Sequence, residues 1–346
     1  MTTPARAPRL VRPVLAFAIA CGMLAALLPP ASARPARATA GPSCTVHRLH
    51  VRIADPGPAD QTLWGQLCYP GAARPSKVQL LVHGSTYDHL YWDFPAGNGL
   101  YSYLRAAVGA GYATFNVDRI GNGASSHPPS SQLDLVAGAV AMHDVVTALR
   151  SGALDGHAFT RVAWVGHSYG SFTGMYEMSR YRDVDAAVLT GALHGINPDG
   201  GTTIYPAVQD PKFADSGLDS GYVTTKPGIR DFFYYPATTD PQVLATDEET
   251  KDVAPLAASP PLPAPMDFTV PVLLVSGMRD KGQCVNVTLY DCTDPASVKA
   301  SESQYYRPET HLTVRMVPET GHSLALATTA PVTDAIMLGW LQQNLN

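Results

Sequence analysis

"VAWVGHSYGSF", residues 162–172, carries an apolar run straight into Gly166-His167-Ser168-Tyr169-Gly170. The pentad fits G-x-S-x-G, but five-residue patterns recur by chance, so its weight comes from its flanks. A buried-strand signal precedes the serine, and a helical segment, Tyr169 to Tyr181, follows it. Strand, sharp turn and helix with the serine at the apex are what a nucleophile elbow requires. The glycines have a mechanical reason, because the turn forces the serine into strained backbone and bulk on either side would clash. The rival reading is a tight glycine turn with a spectator serine, and the rest of the chain has to decide between them.

Working outward, short apolar runs alternate with helix-length segments. The runs are 78–84, 112–118, 161–168, 185–191, 270–277 and 311–317, the second reading "YATFNVD" and the fifth "VPVLLVSG". Near-continuous apolar strands suit a sheet buried on both faces, and the alternation predicts an α/β fold with a mostly parallel sheet. Helices are expected over Leu100–Gly109, Asp134–Arg150, Tyr169–Tyr181 and Val332–Leu345. The second shows helical periodicity through Val136, Val140, His143, Val146 and Leu149.

A serine hydroxyl needs a base, and the base needs an orienting acid; for this elbow the chain order is Ser, acid, His. Downstream of Ser168 lie His194, His311 and His322. His322 follows the last strand and so emerges at the carboxyl edge, whereas His311 enters that strand from the opposite edge. His322 is therefore the expected base. Asp280 follows the fifth run at the same edge and is the expected acid. Asp240, Asp247 and Asp252 lie in a long irregular stretch, Asp267 precedes the strand, and Asp199 sits several residues past the fourth run. Acyl transfer also needs oxyanion donors. The backbone N–H of Tyr169 is one candidate, and that of Ser85, after His83-Gly84 in the loop following the first parallel strand, is the other. His83 precedes the serine in the chain, so it is read as shaping that loop. Tyr87, Trp92 and His194, with Phe232 and Phe233 below, are candidate substrate contacts.

Residues 1–40 read as a signal peptide and processing segment. Arg6, Arg9 and Arg12 precede the apolar run Val14–Leu28, and small-residue cleavage sites end at Ala33 and Ala40. Fifteen residues are short for a membrane span, so a secreted protein with no stable membrane anchor after processing is expected. Without this segment, 19 basic residues face 29 acidic ones, which argues against nucleic-acid binding. Four cysteines then remain, and export favours disulfides. If Thr45–Ile53 and Thr62–Cys68 pair as an N-terminal β-hairpin, Cys44 lies opposite Cys68, leaving Cys284 and Cys292 to close a short loop. Neither CxxC spacing nor a nearby histidine pair supports a metal site at these cysteines.

Residues 191–265 break the rhythm, with much Pro, Gly and Thr and an aromatic cluster of Tyr205, Tyr222, Phe232, Phe233, Tyr234 and Tyr235. So long a stretch in a compact domain is read as a lid or cap insertion; two loose helices with ordinary core aromatics are the plainer alternative. The core would then be 41–190 and 266–346.

With these residues in place the chain resembles secreted bacterial serine hydrolases of the α/β-hydrolase fold, esterase- or lipase-like and with a lid. The matching elements are HGS (83–85), DRIGNGASS (118–126), GHSYG (166–170), SGMRD (276–280) and TGH (320–322), in the family's order. The resemblance implies an eight-stranded, mostly parallel sheet with the lid inserted after strand 6. It implies hydrolysis of a carboxylic ester or lactone, through an acyl-enzyme on Ser168 with His322 and Asp280, without metal or cofactor. Two alternatives stay open: an amide or peptide hydrolase using the same residues, and a non-catalytic binding protein on the same fold. The expected partner is a small, hydrophobic ester, lactone or amide.

Overall fold

The computed structural model describes residues 1–2 and 41–345. The expected signal segment, with its cleavage points at Ala33 and Ala40, lies outside the described residues.

Eleven strands follow in chain order: β1 (Ser43–Val51), β2 (Gln61–Tyr69), β3 (Lys77–Val82), β4 (Ala113–Val117), β5 (Arg161–His167), β6 (Ala186–Thr190), β7 (Ile204–Pro206), β8 (Tyr222–Thr225), β9 (Ala254–Pro255), β10 (Val272–Gly277) and β11 (Thr313–Val317). Eight of them form one sheet in the order β1-β2-β4-β3-β5-β6-β10-β11. β2 runs antiparallel to β1 and to β4, and every other pairing in that sheet is parallel. This is the eight-stranded, mostly parallel sheet implied by the resemblance. The β1–β2 hairpin places Cys44 opposite Cys68, and a disulfide joins them; a second joins Cys284 to Cys292.

The continuous apolar strands arise because each contributes to two cores. In β5, Val162 and Trp164 enter one hydrophobic cluster, while Ala163 and Val165 enter the other. α2 (Leu135–Ser151) and α3 (Tyr169–Tyr181) cover the first face, joined there by α5 (Pro295–Glu302), which adds Val298. α1 (Tyr103–Gly109) and α6 (Ala330–Asn344) cover the second with Leu104, Met337 and Leu341. Capping sets their starts. Asp134 accepts from the Ala137 N–H and opens α2. Ser102 accepts from the Arg105 N–H, so α1 begins at Tyr103, three residues later than the sequence suggests. The final helix starts two residues earlier than expected, with a proline in its first turn, where a missing N–H costs nothing.

Between β6 and β10 the chain forms a small antiparallel sheet, β7-β8-β9, and one helix, α4 (Pro241–Thr250), joined by short turns. Its strands differ from the plainer alternative of two loose helices. Strands of three, four and two residues are too short to show a period. Tyr222 and Tyr234 are buried, and Phe232 and Phe233 are half-buried.

Candidate active site

Strand order positions the site. β3 has β4 on one side and β5 on the other, so the crevice at the carboxyl ends opens between the loops that follow β3 and β5. β10 and β11, parallel to β5, bring their following loops to that edge.

The loop after β5 is the sharp turn expected. Ser168 has φ 49° and ψ −116°, a conformation L side chains rarely adopt, and it caps α3. A Cβ at Gly170 would lie 2.3 Å from the Val82 carbonyl oxygen, and one at Gly166 would lie 2.7 Å from the Ser171 backbone. Both positions therefore require glycine for close approach, whatever the serine does. The turn is fixed by the Ser168 N–H donating to the Thr190 carbonyl at 2.8 Å and by the Ser171 hydroxyl donating to the same oxygen at 3.0 Å.

Asp280 and His322 meet. The His322 Nδ1–H donates to Asp280 Oδ2 at 2.7 Å, while the Gly282 N–H holds the other carboxylate oxygen at 2.7 Å. Asp280 is fully buried and its carbonyl accepts from the Cys284 and Val285 N–H groups, so the disulfide-closed loop turns directly around it. Ser168 and His322 open into a cavity of about 410 Å³, within the range of small-ligand sites. Phe172, Ile196, Ile204, Phe232, Phe233 and Leu256 supply its apolar lining, with Asn197 and Gln283 among its polar residues.

Ser85 and Tyr169 also line the cavity, and among the described residues neither backbone N–H has an acceptor in the protein. The loop bearing Ser85 is held from below. His83 donates from Nδ1 to the Gly84 carbonyl at 2.8 Å and accepts from the Arg119 N–H on Nε2 at 3.1 Å, which fixes the neutral tautomer. Burial, reinforced by the Arg119 charge, lowers its pKa to about 3. His167 stacks face to face on Tyr91 at 4.2 Å and lies 4.9 Å from the His322 ring. Burial, then His322 and His83, keep it well below its ordinary range.

The other candidate contacts divide. Phe232 and Phe233 face the cavity. Tyr87 lies beneath it, its hydroxyl 2.7 Å from Ser323 Oγ and 3.3 Å from Asp247 Oδ2. Trp92 is 1% exposed and packs between Tyr91 and Tyr103 in the second core, too deep to reach a substrate. His194 stacks on Tyr305 at 3.6 Å and donates to Glu302 at 2.7 Å, which turns it away from the cavity. Tyr87, Trp92 and His194 are thus supports of surrounding structure, and aromatic character alone could not distinguish them from cavity residues.

Sequence reasoning gave no role to Thr86, Arg119 or Arg230, and it weighed Asp247 only as a rival acid. Arg119 donates to the Gly84 carbonyl at 3.2 Å and lies 4.6 Å over the Tyr169 ring, bridging the two candidate donor loops. Arg230 and Asp247, both in the insertion, form a fully buried ion pair with Nε–Oδ2 2.9 Å and Nη2–Oδ1 2.5 Å. The same guanidinium donates to Thr86 Oγ1 at 2.9 Å and to its carbonyl at 3.3 Å, and Thr86, at φ 59°, directly follows Ser85. The insertion also meets the histidine loop, where the Ser323 N–H donates to the Phe233 carbonyl at 3.0 Å.

Residues 79–335 match the family model described as the alpha/beta hydrolase family, and the chain belongs to that family. Among solved structures it is similar to a thermophilic esterase from Thermogutta terrifontis, with TM-score 0.60 and 18% identity over 87% of this chain and 100% of that one. It is also similar to the carboxylesterase CesB from Bacillus subtilis, with TM-score 0.59 and 16% identity over 86% of this chain and 92% of that one. At such identities the likeness is one of fold. No protein of curated function matches the chain in sequence.

Proposed function

We propose that this chain is an exported serine hydrolase that cleaves carboxylic esters or lactones by way of an acyl-enzyme. The observation that carries the reading is that Ser168, strained at the apex of its turn, shares one cavity with a His322–Asp280 pair. In the reaction, Ser168 Oγ attacks the ester carbonyl carbon while His322 Nε2 takes its proton. Asp280 holds the imidazole in the tautomer with Nδ1 protonated and stabilises the imidazolium that forms. The N–H groups of Ser85 and Tyr169 receive the oxyanion. Collapse of the tetrahedral intermediate breaks the bond to the alcohol, which leaves with the proton from His322. Water then repeats the sequence, with His322 again as base, and frees the acid and Ser168.

Residues 191–265 act as a cap whose phenylalanines favour a hydrophobic acyl or alcohol group. The alkyl- and aryl-lined cavity and the carboxylesterase described among the similar folds support esters over charged or peptide substrates. Two disulfides support export. The test is labelling by a fluorophosphonate probe together with turnover of matched p-nitrophenyl ester and anilide substrates. Labelling and ester turnover that both vanish in Ser168→Ala are expected. Equal labelling of wild type and variant would sink the serine mechanism, and anilide turnover without ester turnover would make the enzyme an amidase.

A further inference from the structure

Away from the cavity, α2 and α3 bury a second cluster of ionisable groups that the reaction does not use. His143 comes from α2, Glu177 from α3, and Asp183 from the turn leading into β6. One ligand atom from each lies within 4.8 Å of the others. The Asp183 Oδ2 accepts from His143 Nδ1 at 2.6 Å, and His143 is braced by flat stacking on Tyr181 at 3.8 Å. Glu177 is fully buried against the Asp183 carboxyl, and apart from that neighbour neither of its oxygens nor Asp183 Oδ1 has a donor.

Buried polar oxygens without a donor are rare in folded proteins, and three lie together here. Arg150 is the nearest cation acting on Glu177, but its Nε and Nη2 donate to the Asp183 carbonyl and its Nη2 also to Asp185. A second cluster shows what a satisfied arrangement looks like. Asp118, beside Asp88 and His89, accepts from the His89 N–H and Nδ1 on one oxygen and from the Ala124 N–H on the other. Both oxygens of Asp118 are engaged there, whereas around Glu177 three carboxylate oxygens accept from no backbone or cationic donor.

We propose that His143, Glu177 and Asp183 bind a divalent transition-metal cation of the Zn²⁺ type, which ties α2, α3 and the turn into β6 together. One imidazole and two carboxylates suit such an ion, whereas Ca²⁺ takes six to eight oxygens. His143 and Asp183 are 25% and 20% exposed, which gives the ion an entry path and leaves room for water as a further ligand. Zn²⁺ bonds of roughly 2.0 Å draw the ligand atoms to about 3.3 Å apart, a closure that side-chain rotation can supply. Glu177 lies nine residues along α3 from Ser168, on the order of 13 Å, so the site stiffens the helix behind the nucleophile and takes no part in the chemistry.

The experiment uses the full chain, stripped with chelator, and follows Zn²⁺ by calorimetry and thermal unfolding at pH 7.5. One site is expected, with a rise of several degrees in Tm at saturation. Glu177→Gln should abolish the rise, and His143→Ala should weaken binding at least tenfold. His143 is partly exposed, so its variant keeps the test decisive if Glu177→Gln fails to fold. Zn²⁺ affinity equal in wild type and both variants would overturn the proposal. So would a Glu177→Gln protein whose Tm matches the stripped wild type while the wild type itself ignores Zn²⁺, since Glu177 and Asp183 would then simply share a proton. A Tm rise with Ca²⁺ but none with Zn²⁺ would overturn the imidazole ligand.

Discussion

Two fully buried aspartates mark the two regions that meet over Ser168. Asp280, on the loop after β10, accepts from one backbone N–H and one imidazole. Asp247, on α4 of the insertion, accepts from two guanidinium nitrogens and the Tyr234 hydroxyl, with Tyr87 at 3.3 Å. The Asp247 charge is cancelled permanently, because burial alone would lower the Arg230 pKa but Asp247 overrides it and raises it. The Asp280 charge is matched only when His322 is protonated. One carboxylate thus orients an imidazole at the cavity, and the other ties the inserted segment to the loop that bears Ser85. Burial is the same in both; the partner decides the role.

The sharpest break of this comparison replaces each carboxylate by its amide. On the proposed mechanism Asp280→Asn allows the wrong imidazole tautomer and should lower kcat on the order of 10⁴-fold with little change in fold. Asp247→Asn should do the reverse. It leaves Arg230 buried without its counter-charge, a loss of roughly 3–5 kcal/mol in stability. That predicts a fall in Tm on the order of 10 °C. Steady-state kinetics and thermal unfolding of the two variants separate the roles, and a stability loss in Asp280→Asn as large as in Asp247→Asn would erase the distinction. The double variant Arg230→Met/Asp247→Leu sharpens it further. Removing both charges together should recover much of the stability, but kcat should stay low because Thr86 loses the guanidinium that holds it beside Ser85.

The disulfides extend the contrast with a smaller effect. Cys44–Cys68 spans 24 residues and Cys284–Cys292 spans 8. Loop-closure entropy gives about 3.4 kcal/mol for the first and about 2.5 kcal/mol for the second. Cys44→Ala/Cys68→Ala should therefore lose the more stability and keep kcat, since the hairpin lies at the far edge of the sheet from β10 and β11. Cys284→Ala/Cys292→Ala should lose less stability yet lower kcat, because its loop turns around Asp280. The reverse pattern of activity loss would show that this loop is held by its hydrogen bonds alone.

The same two regions differ in how much the sequence reveals. β5, the turn at Ser168 and α3 are legible because strand and helix periodicities meet at a five-residue pattern whose glycines have one mechanical meaning. Asp280 and His322 follow from strand order, since residues just past parallel strands must share an edge. The hold on the cap is different in kind. Arg230 reaches Asp247 across 17 residues and Thr86 across 144, and no local pattern announces either contact. The strands of the insertion are too short to register a period, and its aromatics look alike in sequence although Phe233 faces the cavity and Tyr234 is buried beneath it. Tyr87, Trp92 and His194 were plausible cavity residues for the same reason. What places them is a tertiary partner, respectively Ser323, Tyr103 and Glu302.

The smallest effect concerns the two buried imidazoles near the cavity, His83 and His167. His83, with its pKa lowered to about 3 by burial and then by Arg119, binds no proton in the folded state between pH 4 and 7, whereas an unfolded histidine titrates near 6.5. A depressed folded value means the unfolded chain gains protons first, so stability is full above about pH 6.5 and falls as the pH drops. Between pH 6.5 and 5.5, His83 alone removes about 1 kcal/mol. His167, also held low by burial, adds a loss in the same direction. Tm measured across this window should fall, and His83→Asn should flatten part of the slope. An unchanged slope in that variant would mean that the loop beneath Ser85 opens to solvent and lets His83 titrate normally. Such an opening would also loosen the N–H proposed to receive the oxyanion, so ester turnover should then fall over the same pH range and by the same fraction of molecules.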